Sequence, residues 1–354
     1  MIETPQARPP GKKLETLEVV RAFAALAVVA FHSAYQSHLH GYSETVHPVL
    51  WMGKYGVQVF FVLSGFIIFY IHGKDLGDPD KCSRYFYRRW LRIWPLYAAI
   101  TLIQVIGKPF LPGKEADFLN QIVTSLFFLD LENTPIVTVG WTLVHEAFFY
   151  ITFGFLIVLG RRFAAWFGIV FTVCMLVKTF DESPANELVT FVFSHLKWYF
   201  LAGIAAACWL RSDQFERPHL VRIFSLSVFG VLGLLTLGLA MVPSVGVIAY
   251  RTPLLALGIG VTLLLLAKYD LMASVKMPRL LVYLGAASYS IYLVHSTLLD
   301  FGLIILGKVA PSLLWNHLGP TMLVMAIGAV IGGVLCHEIL EKPLIKWVRS
   351  LKKS

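Results

Sequence analysis

Charge is what this chain has least of. Asp, Glu, Lys and Arg make up only 14% of its 354 residues, where soluble domains carry about 25%. That shortage argues against an ordinary soluble domain. Acid is the scarcer sign, with 21 acidic residues against 30 basic ones and a net charge of +9. No RNA-binding or zinc-finger pattern accompanies the excess of base, so no nucleic-acid partner is expected. The basic residues read instead as loop residues that set membrane topology. Cysteine is scarce as well. Cys82, Cys174, Cys208 and Cys336 are scattered and form no CxxC, which implies neither a disulfide framework nor a zinc site. No metal is expected. Long polar linkers are also missing, so 1–354 reads as one membrane domain, with a polar tail at 1–13 and a basic tail at 344–354.

Apolar runs are what the chain has in abundance. It is 57% hydrophobic, with a mean hydropathy of +0.70. Runs of about twenty apolar residues fit the hydrocarbon layer. Such runs lie at 15–35, 51–71, 91–111, 140–160, 163–180, 188–210, 221–242, 247–267, 280–306 and 319–340. The expected fold is therefore all-α, a polytopic membrane helix bundle of about ten transmembrane helices. Residues 118–129 form a run too short to cross, expected to be re-entrant or interfacial. Arg8, Lys12 and Lys13 precede the first run as in a signal peptide. That run is too long for one and contains Arg21, so it reads as a retained signal anchor. All lysines and arginines except Lys54, Lys108, Lys114, Lys178, Lys197, Arg251 and Lys308 fall at one set of alternate loops and at the ends. The positive-inside rule then places both termini in the cytoplasm.

The first run, Leu17 to Tyr35, carries Arg21 and His32. Eleven residues are about three helical turns, so the two share a face and stand roughly 16 Å apart along the axis. Ionisable groups inside a membrane are costly and mark functional sites. With the topology above, Arg21 lies toward the cytoplasm and His32 toward the outside. Glu146, in the fourth run, and His295, in the ninth, are expected at the depth of His32. Arg88, Arg89 and Arg92 enter the third run at the level of Arg21. A neutral imidazole can take a proton from a hydroxyl. A carboxylate beside it can fix its tautomer, which makes His32 and Glu146 the catalytic candidates. Tyr292 and His295 are three apart and share a helix face.

Other features have plainer readings. Ser64 and Gly65 fit small-residue helix packing. The arginines from Arg84 to Arg92 fit either lipid head groups or a phosphate-rich ligand, since guanidinium forks grip phosphate. Pro95 predicts a kink or a late helix start. Phe149 stands where HExxH would require its second histidine, which excludes a zincin. Lys197 and His195 are expected in the middle of the sixth span, with Lys197 a secondary candidate. Glu341 and Lys342, before Pro343, read as helix-end residues reaching for the surface.

Together these stretches resemble the acyltransferase-3 family of integral membrane O-acyltransferases, and within it the ExoZ-like branch that modifies exopolysaccharides. The matching residues are Glu18, Arg21 and His32, the FFVLSGF block around Ser64, and the block from Arg88 to Tyr97. The block carrying Glu146, the SYSIYLVH block ending in His295, and Glu341-Lys342-Pro343 follow in order. The resemblance implies transfer of an acyl group, usually acetyl, from cytoplasmic acyl-CoA to a carbohydrate hydroxyl on the outer side of a bacterial inner membrane. Acyl-CoA would be a substrate rather than a bound cofactor. Carried over, His32 would be the base or transient acyl carrier. Arg21, Arg88, Arg89 and Arg92 would handle the CoA phosphates, and Ser64, Tyr292 and His295 would line the substrate path. Glu18 stands where the family often has Asp. The esterase-like extracellular domain of some members is not seen, so the transfer is expected to be finished by this chain or passed to a partner.

Two other readings compete. Buried His, Glu, Arg and Lys could form the relay of a proton-coupled transporter, although no internal repeat supports it. An acyltransferase could also act on a small hydrophobic alcohol such as a macrolide.

Overall fold

The computed structural model describes residues 14–107, 115–129, 135–180, 186–212, 247–273 and 276–351, with positions 227–228, 231–232 and 234. No strand occurs among them. The longer helices are α1 (Glu15–Leu39), α2 (Gly56–His72), α3 (Asp80–Gly107), α4 (Glu115–Leu126) and α5 (Trp141–Phe180). They continue with α6 (Lys197–Leu210), α7 (Val247–Ala273), α8 (Arg279–Val309), α9 (Leu318–Cys336) and α10 (Lys342–Leu351). Seven helical stretches of the described residues are long and apolar enough to cross a membrane. The chain is a multi-pass, all-α membrane protein.

Seven differs from ten for physical reasons. The expected third span is the apolar end of α3, whose first half carries Arg84, Arg88, Arg89 and Arg92. The expected fourth and fifth spans form one stretch, Thr138–Thr179. A straight helix of 40 residues would be about 60 Å long, twice the hydrocarbon thickness. It is broken at Gly160, with φ 90° and ψ 171°, a conformation open to glycine and strained for other residues. The expected seventh span, 221–242, lies almost wholly outside the described residues. Residues 118–129 fall in α4 and its end, and α4 has only 12 residues. There the Trp94 indole donates to the Leu126 carbonyl at 3.0 Å, and Ser125 accepts from the Ile136 amide.

Contacts divide the chain into two compact units. The first holds residues 1–20, 58–82 and 153–282. In it the Thr16 amide and hydroxyl both donate to Asp270 at 3.1 Å, and the Met277 amide donates to Glu15. Arg161 donates to the Lys74 carbonyl, and the Gly77 amide to that of Ile157. The basic segments at these helix ends thus meet in pairs. Helices α2 and α6 run parallel. Phe61 packs on Phe200 with ring centroids 4.8 Å apart, and about two and a half to three turns further on Arg211 donates to the Tyr70 carbonyl. Lys197 and His195 lie in the middle of the span Glu187–Leu210, as expected, but at a break in its helix. Lys197 begins α6, and His195 sits in the break after a short helix, Glu187–Val192. Lys197 there rests over the Phe191 ring.

The second unit holds residues 21–57, 83–152 and 283–354. Its contacts give each helix a direction. Arg21 meets Ser288, His32 meets His295 and Gln36 meets Ser296, so α1 and α8 run parallel. Tyr289 bonds the Ile93 carbonyl and Gln104 bonds Thr297, so α3 runs the same way. Tyr85 bonds the Tyr150 carbonyl while Tyr97 lies against Gly140, so α5 opposes α3. A Cβ on Gly333 would lie 2.5 Å from the Ile291 Cα, and one on Gly302 would lie 3.1 Å from Met325, so α9 opposes α8. Alternating spans require these directions. Helix α3 starts at Asp80 and continues through Pro95, so a late start at the proline is not what the chain does.

Candidate active site

The candidate site lies in the second unit and has two levels along α8. At the level of His295 the packing of α1 on α8 brings two imidazoles together. His295 is fully buried. Its Nε2 lies 3.2 Å from Nδ1 of His32, and its Nδ1 lies 2.6 Å from the Tyr292 carbonyl oxygen. His32 Nδ1 also lies 3.0 Å from the Val28 carbonyl oxygen. Unlike its partner, His32 is only partly buried. One turn beyond His32, the buried Gln36 amide donates to the Ser296 hydroxyl at 2.8 Å and to its carbonyl at 3.1 Å. Gln36 Oε1 is buried and accepts no hydrogen bond from a described residue. Tyr292 sits beside His295 with ring centroids 5.6 Å apart. Its hydroxyl lies 3.1 Å from that of Thr142 and 3.4 Å from the Val139 carbonyl oxygen. The spacing of Tyr292 and His295 on one face is thus realised, but the tyrosine hydroxyl is held by the first turn of α5 and the residues just before it.

Two turns nearer the start of α8 lies an ionic cluster. Arg21 Nε donates to the Ser288 hydroxyl at 3.3 Å. Arg92 pairs with Glu341 at 3.7 Å and rests over the Tyr289 ring at 5.7 Å. Glu341 is 1% exposed. It also accepts from Ser290 and from His337 Nδ1, each at 2.6 Å. Glu341 does not reach for the surface as expected. Residues His337–Glu341 form a π-helical turn that joins α9 to α10, and this wide turn carries the carboxylate inward. Insertions of this kind cluster at functional sites.

The arginines of α3 part company. Arg88 is exposed, whereas Arg89 and Arg92 are partly buried. Arg89 lies 5.9 Å over the Tyr150 ring, and the Tyr150 hydroxyl donates to Glu146. Glu146 therefore anchors a Tyr150–Arg89 group on α5 and α3. The sequence had grouped it with His32 by depth, and its hydrogen bond with Tyr150 joins it to this second group. Ser64 belongs to α2 in the first unit, where Gly65 beside it packs against the Phe200 backbone.

Sequence reasoning passed over two residues and misplaced a third. His337 stands four before Glu341, one helical turn, and that spacing was a usable signal. Gln36 stands four after His32, on the same face. Glu341 was noticed but read as a helix-end residue, because burial by a neighbouring helix leaves no mark in its local sequence.

Fold and site together define a membrane-embedded protein with an imidazole pair at one level and an ionic cluster at another. The chain belongs to the acyltransferase-3 family, whose acyltransferase-domain model matches residues 14–348. It is similar to the acyltransferase MdmB of Streptomyces mycarofaciens, at 26% identity over 94% of this chain and 92% of that protein. It is also similar to the exopolysaccharide production protein ExoZ of Rhizobium meliloti (strain 1021), at 27% identity over 88% of this chain and 95% of that protein. No solved structure matches it. The chain is thus a membrane O-acyltransferase.

Proposed function

We propose that the enzyme moves an acyl group, in the simplest case acetyl, from cytoplasmic acyl-CoA to a hydroxyl of a cell-surface or lipid-linked carbohydrate. The membrane in question is the bacterial inner or plasma membrane, with both termini of the chain in the cytoplasm. Similarity to a protein of exopolysaccharide production supports the carbohydrate acceptor. The observation that carries the reading is the partly exposed His32, set three turns along α1 from Arg21 and hydrogen-bonded to His295.

In this reading the acceptor hydroxyl oxygen attacks the thioester carbonyl carbon while His32 takes the hydroxyl proton. The C–S bond then breaks, the ester forms, and the proton passes to the CoA thiolate as it leaves. If His32 carries the acyl group instead, its nitrogen attacks the thioester and expels CoA thiolate; the hydroxyl then attacks the acyl-imidazole, the C–N bond breaks, and the hydroxyl proton passes through the freed ring to the thiolate. Glu146 contributes by holding Tyr150 beside Arg89, which fixes one wall of the donor path. Arg21, Arg88, Arg89 and Arg92 meet the CoA phosphates, for which guanidinium forks are suited. Tyr292 contacts the substrates. CoA binds and leaves as a substrate, and membrane lipid fills the outer faces of the helices.

The test uses purified protein in nanodiscs with radiolabelled acetyl-CoA and a bacterial surface glycan. Ester should accumulate on the glycan. His32→Ala should lower turnover by about 10²–10⁴, the usual contribution of a general base, with unchanged helical circular dichroism. Full turnover in that variant would remove His32 from the chemistry.

A further inference from the structure

We infer that His295 is a positioning residue that fixes the tautomer of His32 and so makes Nε2 of His32 the reactive nitrogen. The inference rests on the reading of His32 as the base or acyl carrier. It gives His295 a place behind His32 in place of the substrate contact that the family resemblance implied.

The argument is one of donors and acceptors. The Tyr292 carbonyl, 2.6 Å from His295 Nδ1, can only accept. His295 Nδ1 therefore carries the proton. In a neutral ring the other nitrogen is then bare, so His295 Nε2 is an acceptor. It faces His32 Nδ1 at 3.2 Å, and the Val28 carbonyl faces the same atom at 3.0 Å. Two acceptors converge on His32 Nδ1, so that atom carries the proton and shares it between them. The bare nitrogen of His32 is Nε2. No hydrogen bond from a described residue engages it. It is the atom free to take a proton from a hydroxyl, or to attack a thioester.

The pair also does what a second group must do during reaction. When His32 Nε2 takes the acceptor's proton, the ring becomes cationic. Its Nδ1–H bond to His295 then becomes charge-assisted and shortens and strengthens. The stabilisation grows as charge develops, which lowers the barrier rather than merely binding substrate. In hydrolase triads a carboxylate fills this place. Here a neutral imidazole fills it and brings no second charge into a fully buried position. Glu146 is held by Tyr150. Both nitrogens of His295 are occupied by protein, which leaves none for a substrate.

The closing experiment reads the tautomer directly. Protein labelled with ¹⁵N-histidine is placed in nanodiscs, and the ring-nitrogen shifts of His32 and His295 are assigned by their loss in His32→Ala and His295→Gln. Both rings should be Nδ1–H tautomers in the unmodified protein, with a scalar coupling across the N–H···N bond between them. A His32 ring protonated at Nε2 would overturn the inference, and this measurement needs no variant of His295 to be active. His295→Leu removes the acceptor, so the Nδ1–H preference of His32 should weaken and kcat should fall about 10- to 100-fold, as for other groups that orient a reacting ligand. The acceptor KM should stay within about twofold. His295→Gln, whose amide oxygen can accept the same proton, should recover most of the loss. A higher acceptor KM with unchanged kcat would return His295 to substrate binding and overturn the inference. Turnover retained in His32→Ala would instead defeat the parent reading, and the spectrum would still decide which residue sets the tautomer.

Discussion

Glu341 is the residue whose environment departs furthest from its local sequence. Its carboxylate takes the Ser290 and His337 bonds and the Arg92 charge in a site that is almost closed to water. A buried pair is costly to break, because the partner left behind is an uncompensated charge. Glu341→Ala should therefore lower stability by roughly 3–5 kcal/mol, seen as a lower thermal midpoint in detergent. Glu341→Gln, which can keep the Ser290 bond, should lose less. Equal stability of all three proteins would show that the cluster is not a structural clamp. Arg21 and His32 were legible from eleven residues of spacing and the cost of burying them. Glu341 was not, because its partners Ser290 and Arg92 come from α8 and α3, 51 and 249 positions away.

At the scale of the element, Gly160 decides how one apolar stretch becomes two arms. Its φ of 90° lies where a side chain is strained, and such strain costs about 1–3 kcal/mol. Gly160→Val should destabilise the protein by that amount or straighten the segment. Thermal unfolding reads the first result, and a distance between spin labels at positions 151 and 169 reads the second. No change in either would show that the break is not imposed by Gly160. Two basic residues, Arg161 and Arg162, follow it at once, which is why the sequence marked a boundary there. Hydrophobic runs with charge between them give helices their existence and approximate ends. They do not reveal that α3 continues through Pro95 or that a π-turn joins α9 to α10. Both depend on neighbouring helices that satisfy or reshape the backbone.

For the whole molecule, the directions of α1, α3, α5, α8 and α9 agree with alternating spans, and the outer or inner identity of each end is open to direct measurement. Single cysteines replacing Thr45 and Lys81 should differ in access. In intact cells a membrane-impermeant thiol reagent should label the first, and the second only after permeabilisation. The reverse pattern would invert the topology and place His32 on the donor side. Composition and local pattern were enough to establish an all-α membrane protein. A deficit of charge, repeated apolar runs and alternating basic loops fix that outcome by the cost of putting polar groups in lipid. Local pattern also determined that Arg21 and His32 share a face, because helix geometry is local. Which groups meet was settled by the packing of the helices. It put His295 within hydrogen-bond reach of His32, set Tyr150 on Glu146, and buried Glu341 beside Arg92. Depth in a membrane is set by each helix alone. Contact depends on how helices turn and cross, and that follows from packing between segments hundreds of residues apart.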